Sequence, residues 1–280
     1  MTEQAARRVV AGLSCAEWGP NAAPVVLALH GLTSTSQVWA GLAEALPEFR
    51  VVAPDLPGRG GSVRVAAGPG LAGHAEAVVA LADELRLDDV ILVGHSMGAF
   101  LAPLVAASLG DRVRKIVLAD GGVAPDPSLL MRRPVVRAIF TVQGWLLGWR
   151  WRSPDAFVQA IEGKAVVRQP DLRPMVRDWA VYLLDGNGRA RLDRRRLVTD
   201  AVDSLTGRST LPAVRDMKAP LHVLAATHGA HDGAAAFLSA NALARAAEVA
   251  PRLTSERVPA NHVTLLADPR LAAAVRSDPV

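Results

Sequence analysis

The chain has 280 residues, of which 50% are hydrophobic and 21% charged, with a formal net charge of +4 at pH 7. That length and apolar share exclude a disordered or low-complexity chain and allow one large or two small domains around a buried core. Cys15 is the only cysteine, which excludes an intrachain disulfide and fits a reducing, cytoplasmic compartment.

In chain order, residues Met1 to Val10 carry Arg7 and Arg8 and lack the apolar run of a secretory leader. No later stretch reaches the roughly 18 uncharged apolar residues of a membrane span. A soluble, unexported protein with no membrane partner is expected. Short β-rich apolar runs then alternate with helical patterns. Strands are predicted at Val9 to Trp18 with a break at Gly12, Val25 to Leu29, Arg50 to Ala53, Val90 to Val93, Val113 to Leu118, Leu221 to Ala225 and Leu253 to Val258. Helices are predicted at Val38 to Leu46, Leu71 to Leu85, Ala99 to Leu109 and Ala234 to Val249. This alternation argues for strands joined by helical crossovers, hence an α/β fold with a mostly parallel central sheet flanked by helices. An uninterrupted run such as Val90-Ile91-Leu92-Val93 is what a strand covered on both faces requires.

Between Gly121 and about Pro220 the alternation stops. Val135 to Leu147 and Pro174 to Leu184 read as amphipathic helices separated by Pro and Gly breaks. The expected organisation is a core domain of residues 1–121 and 214–280 with an inserted helical cap at 122–213. Arginine supplies 28 of the 31 basic residues and is spread along the chain, so no nucleic-acid partner is expected. The densest run, Arg189 to Arg196, reads as a solvated helix face.

Gly94-His95-Ser96-Met97-Gly98 lies between a predicted strand and a predicted helix, the setting of a nucleophile elbow. There a serine hydroxyl stands exposed on a sharp turn beside the positive end of the helix dipole. Without partners the same serine would be an ordinary helix N-cap. A serine hydroxyl is a poor nucleophile at neutral pH, so the chemistry needs a base, a carboxylate to orient that base, and donors for an oxyanion. His262 follows the last predicted strand and is the candidate base. Asp232, after the preceding strand, is the candidate carboxylate. The order is Ser, Asp, His.

Four motifs stand in one order: His30-Gly31-Leu32, Asp55-Leu56-Pro57-Gly58-Arg59-Gly60-Gly61-Ser62, Gly94 to Gly98, and Asn261-His262. In them the chain resembles the α/β-hydrolase superfamily, in the large group with a helical cap after the sixth strand. The resemblance implies the α/β-hydrolase fold, an oxyanion hole made by the backbone N–H groups of Leu32 and Met97, and a triad of Ser96, His262 and Asp232, where the family most often carries the acid, with Asp120 at the end of the sixth predicted strand as the family's alternative place for it. It also implies an acyl-enzyme mechanism that needs no metal and no cofactor. His228 and His231 beside Asp232 are accordingly read as a polar loop.

The expected function is a serine hydrolase cleaving a carboxylic ester, lactone or thioester of a hydrophobic small molecule. The alternatives are carbon–carbon bond hydrolysis or other non-ester chemistry on the same triad, and a hydrolase-like ligand receptor with little turnover. Trp145, Trp149 and Trp151 are concentrated in a chain with 4% aromatics and are candidate pocket residues as well as candidate packing residues. Arg150 and Arg152 alternate with them as candidates for binding a substrate carboxylate. No oligomeric state is read from the sequence.

Overall fold

The computed structural model describes residues 5–124, 126, 128, 131–163, 172–206 and 210–278. Eight strands form one sheet: β1 (Ala6–Val10), β2 (Leu13–Trp18), β3 (Val25–Leu29), β4 (Arg50–Pro54), β5 (Val90–His95), β6 (Val113–Ala119), β7 (Leu221–Ala226) and β8 (Leu253–Val258). Their spatial order is β1-β2-β4-β3-β5-β6-β7-β8. β2 runs antiparallel to both β1 and β4, and every pairing from β4 to β8 is parallel. This is the mostly parallel, helix-flanked sheet that the alternation of elements predicts, and the α/β-hydrolase fold that the resemblance implies. The predicted break at Gly12 becomes a two-residue hairpin: Ala11 and Gly12 both take positive φ, at 46° and 80°.

Residues along the central strands alternate between two cores because successive side chains leave a strand on opposite faces. Leu27, Leu29, Val90 and Leu92 enter one core with α2 (Gly70–Glu84), α3 (Met97–Leu109) and α9 (Ala240–Val249). Val26, Ala28, Ile91 and Val93 enter the other with α1 (Ala40–Ala45) and α10 (Pro269–Arg276). Each of the buried Val, Leu and Ile side chains among them contributes roughly 1.5–3 kcal/mol relative to exposure, so burial on both faces of the strands is a large favourable contribution to the core. α9 begins six residues later than the pattern predicts, because the segment before it turns back in a short bridge between His228 and Ala235.

Between β6 and β7 the described chain holds α4 (Arg133–Leu147), α5 (Pro154–Gly163), α6 (Arg173–Leu183), α7 (Arg194–Thr206) and α8 (Thr210–Arg215). α7 packs on α2, α3 and α4, so this part of the insertion joins the main core through Leu197, Ala201 and Val202. α5 and α6 form a small core of their own with Phe157, Val158, Val176, Ala180 and Leu183. Only the end of the Arg189 to Arg196 run is helical: α7 starts at Arg194, and the residues before it pair as short bridges with Leu184 and Arg59. Among the described residues, no helix is long and apolar enough to cross a membrane.

Candidate active site

The site lies at the carboxyl ends of the parallel strands, where the turn after each strand aims its residues into one crevice. Ser96 stands between β5 and α3 with φ 56° and ψ −119°, a conformation that non-glycine residues rarely hold and that surrounding structure must enforce. Two contacts do so: Ser96 N–H donates to the Ala119 carbonyl at 3.0 Å, and the Ser96 carbonyl accepts from Ala99 N–H at 3.0 Å. A Cβ on Gly98 would collide with the Leu29 carbonyl, and one on Gly94 with the Gly98 carbonyl, so both must be glycine for α3 to start this close to β3 and β5. The Ser96 side chain makes no N-capping bond, which leaves its hydroxyl without a structural task.

His30-Gly31-Leu32 passes directly against the serine. A Cβ added to Gly31 would stand 3.1 Å from Ser96 Cβ and 3.5 Å from Ser96 Oγ. His30 is fully buried; its Nδ1–H donates to the Gly31 carbonyl at 2.8 Å and its Nε2 accepts from Leu56 N–H at 3.0 Å. Those two bonds hold one neutral tautomer, and burial pushes the imidazole down to about 4. In a trans peptide the carbonyl and the N–H point in opposite directions, so pinning the Gly31 carbonyl also fixes the direction of Leu32 N–H. Among the described residues, neither Leu32 N–H nor Met97 N–H has an acceptor.

His262 stands on the loop after β8, held by its N–H donating to the Gly229 carbonyl at 2.8 Å. Its Nδ1 is 2.6 Å from Asp120 Oδ2, with the aspartate side chain fully buried and the histidine 22% exposed. The carboxylate that reaches His262 is therefore Asp120, and the expectation for Asp232 is corrected. Asp120 sits at the end of β6 with φ 48°, and its other oxygen accepts from Ala226 N–H at 3.1 Å. Asp232 is exposed and accepts instead from Asn261 Nδ2 at 2.7 Å. The physical reason is the fold of the segment after β7, which doubles back on itself and brings the Asp232 carboxylate to the neighbour of His262. The neighbours of Asp232 also bond locally: His228 Nδ1 meets Thr227 Oγ1 at 3.1 Å, and His231 Nδ1 accepts from Gly233 N–H at 3.2 Å.

His95, inside the elbow, ties it to the loop that carries His262. Its Nε2–H donates to the His262 carbonyl at 2.8 Å, and the two rings lie 4.6 Å apart. Burial, followed by the neighbouring His262, pushes its imidazole down to about 3, so it is a neutral brace between the elbow and the loop that carries His262.

Ser96, His262 and Leu32 open together into a cavity of about 540 Å³. Trp151, Phe157, Met175, Val176 and Trp179 of the insertion cover it, and no Asp, Glu, Lys or Arg is among the described residues that line it. Of the three candidate tryptophans only Trp151 lines this cavity. Trp145 and Trp149 are 56% and 52% exposed and stack edge to face on each other at 5.0 Å, outside the pocket. Arg150 and Arg152 line a separate surface hollow with Asp185 and Asn187. Trp179 was legible only as part of an amphipathic helix; which side of that stripe meets a ligand depends on the docking of α6.

The model of the family described as alpha/beta hydrolase fold matches residues 24–154, a span that includes His30, Ser96 and Asp120 and stops before His262. Lipase LipV of Mycobacterium tuberculosis is 36% identical over 138 residues, 49% of this chain and 52% of the lipase. The bifunctional esterase/perhydrolase of Acinetobacter calcoaceticus is 39% identical over 105 residues, 36% of this chain and 38% of that enzyme. The chain thus spans about half the length, or less, of these curated relatives. Among solved structures, E-2-(acetamidomethylene)succinate hydrolase superposes with a TM-score of 0.79 over 97% of both chains at 24% identity, a likeness of fold.

Proposed function

The chain is a member of the alpha/beta-hydrolase superfamily, and from that premise we propose that it is a serine hydrolase of carboxylic esters with a hydrophobic acyl or aromatic part. Lactones and thioesters of the same character belong to the same reading. The observation that carries it is the 2.6 Å contact between His262 and the buried Asp120, on a histidine that shares one cavity with the strained Ser96.

In this reading Asp120 fixes the tautomer of His262 with the proton on Nδ1, which leaves Nε2 free to accept the Ser96 proton. Ser96 Oγ attacks the carbonyl carbon, and the carbonyl oxygen becomes an oxyanion between the N–H groups of Leu32 and Met97. His262 then gives its proton to the leaving alcohol or thiol, and the same steps with water release the acid. The two unpaired N–H groups and the helix N-terminus at Met97 are aimed at developing negative charge, and each such donor contributes about 3 kcal/mol to the transition state. Asp120 rather than Asp232 serves as the orienting acid, because a buried carboxylate acts in a low dielectric where its hold on the imidazole is strongest.

The cavity supports the substrate class. Its lining is mostly aliphatic and aromatic, with the polar side chains of Thr33, Ser34 and Gln143 but no Asp, Glu, Lys or Arg among the described residues, so a substrate carboxylate buried there would be desolvated without meeting an opposite charge. The helices at 122–213 act as the cap, and the uncharged acyl group lies under Trp151, Phe157 and Trp179. The similarity to a lipase and to an esterase/perhydrolase supports ester chemistry.

The test is hydrolysis of p-nitrophenyl butyrate together with labelling by a fluorophosphonate probe. Wild type is expected to turn over the ester and to take up one label at Ser96. Ser96→Ala is expected to keep its fold and lose both signals. Ester turnover that survives in folded Ser96→Ala excludes the mechanism, and an inert Ser96 in wild type returns the chain to the ligand-receptor reading.

A further inference from the structure

Arg59 is a fully buried cation whose partners come from separate parts of the fold. Its Nε donates to the Leu32 carbonyl at 3.1 Å, its Nη1 donates to the Pro57 carbonyl at 3.0 Å and to the Asp200 carboxylate, and its Nη2 lies 3.8 Å from Met97 Sδ. Asp200 belongs to α7 of the insertion and is itself fully buried, with His74 Nε2 of α2 at 2.8 Å from the same oxygen. Burial alone would push the Asp200 carboxyl up; His74 and the Arg59 guanidinium hold it below the usual carboxylate range.

One guanidinium thus contacts both residues to which the proposed function assigns the oxyanion N–H groups. The geometry at Leu32 makes this contact consequential. The peptide before its Cα is pinned by His30 through the Gly31 carbonyl, and the peptide after it is pinned by Arg59 through the Leu32 carbonyl. With both flanking peptide planes held, the direction of Leu32 N–H is set; with the second released, the residue can rotate about its own backbone dihedrals. A planar guanidinium suits the task because its donors have fixed mutual angles, so anchoring two of them positions the third. The anchor is Asp200. Without its carboxylate a buried guanidinium is an uncompensated charge, and its most favourable move is toward water and away from Leu32.

We propose that Arg59 is the positioning residue of the oxyanion hole and that Asp200 holds it there from the cap, so that seating of α7 and formation of the hole are coupled. This rests on the serine-hydrolase reading of Ser96. It adds to that reading a dependence of the chemical step on a cap residue that touches neither substrate nor Ser96.

The test uses the full chain. Arg59→Lys keeps a positive charge opposite Asp200, but a single ammonium group cannot span Asp200 and the Leu32 carbonyl at once. The expected result is a kcat on p-nitrophenyl butyrate lowered about tenfold or more, with KM within about twofold. Affinity for an arylboronic acid, which forms a tetrahedral adduct on serine, should fall by the same factor as kcat/KM. Asp200→Asn should follow the same pattern. The charge-free pair Arg59→Met with Asp200→Leu is expected to recover thermal stability but not kcat, which separates positioning from packing and also serves if a single variant does not fold.

Folded Arg59→Lys with wild-type kcat, a loss of kcat that boronate affinity does not follow, or recovery of kcat in the double variant would each overturn the proposal. Fluorophosphonate labelling tells these results from failure of the underlying reading. If wild-type Ser96 takes no label, the hydrolase assignment falls and this inference with it; if Ser96 is labelled in every variant, the outcome concerns Arg59 and Asp200 alone.

Discussion

Replacing Asp120 with asparagine changes one atom and, through its surroundings, reverses a tautomer. The wild-type carboxylate accepts twice: from Ala226 N–H at 3.1 Å and from His262 Nδ1 at 2.6 Å. An asparagine amide in that buried position has one acceptor and one donor group. Ala226 N–H can only be satisfied by the amide oxygen, since a buried backbone donor left unpaired costs about 1–3 kcal/mol. The amide NH2 must then face His262 Nδ1, which becomes an acceptor and sends the ring proton to Nε2. A histidine protonated on Nε2 cannot take the Ser96 proton, and a wrong tautomer of this kind costs on the order of 10⁴ in kcat. At about 1.36 kcal/mol per decade the loss is roughly 5 kcal/mol of transition-state stabilisation.

Asp232→Asn supplies the contrast. Its carboxylate is exposed and accepts from Asn261 Nδ2, and an amide oxygen can accept there as well. A change within about threefold in kcat and about 1 kcal/mol in stability is expected. The assay is steady-state hydrolysis of p-nitrophenyl butyrate by both variants, with circular dichroism to establish that each is folded. An Asp232→Asn enzyme down by three orders of magnitude beside a nearly unimpaired Asp120→Asn enzyme would refute the assignment of the acid and the tautomer argument with it.

Acid should weaken the fold before the carboxylates titrate. Burial pushes His30 down to about 4 and His95 down to about 3, whereas the unfolded chain takes up protons at each near 6.5. Their stabilisation is complete above pH 6.5 and is lost as pH falls, at about 1.4 kcal/mol per pH unit for each histidine. Urea unfolding at pH 7, 6 and 5 reads this slope, and His95→Gln should reduce it by about 1.4 kcal/mol per pH unit; a free energy flat from pH 6.5 to 5 counts against buried neutral imidazoles. The pocket assignment separates two tryptophans of the insertion. Trp179→Ala is expected to lower the preference for octanoate over acetate esters about tenfold or more, in line with the 1–3 kcal/mol that a hydrophobic contact contributes to discrimination. Trp149→Ala, at an exposed position, is expected to leave it unchanged; equal effects of the two substitutions would place the acyl group elsewhere.

Read as a string, the chain already contains the alternating strands and helices, the helical interruption between β6 and β7, and the elbow around Ser96. These are local properties. Alternating or continuous apolar runs fix which residues can pair on a covered strand, and the glycines at 94 and 98 are dictated by crowding within a few residues of the turn. Asn261-His262 is likewise a short-range motif. Fold class and the position of Ser96 and His262 in the chain order followed from such features without any knowledge of distant contacts.

What only the tertiary structure decided was which distant groups meet. Asp120 and Asp232 both follow strands that end in the same crevice, so composition and order favour neither. The choice was made by the doubled-back segment after β7 and by the turn at the end of β6, whose outcomes depend on packing against Asn261 and Ala226. The tryptophans show the same limit, since Trp149 and Trp151 stand two residues apart and only the docking of the insertion turns one inward and leaves the other in water. Arg59 and Asp200 are separated by 141 residues. Short-range sterics write secondary structure into sequence, whereas the partners of a buried charge are chosen by the whole fold, because no neighbouring stretch of chain records the cost of leaving that charge alone.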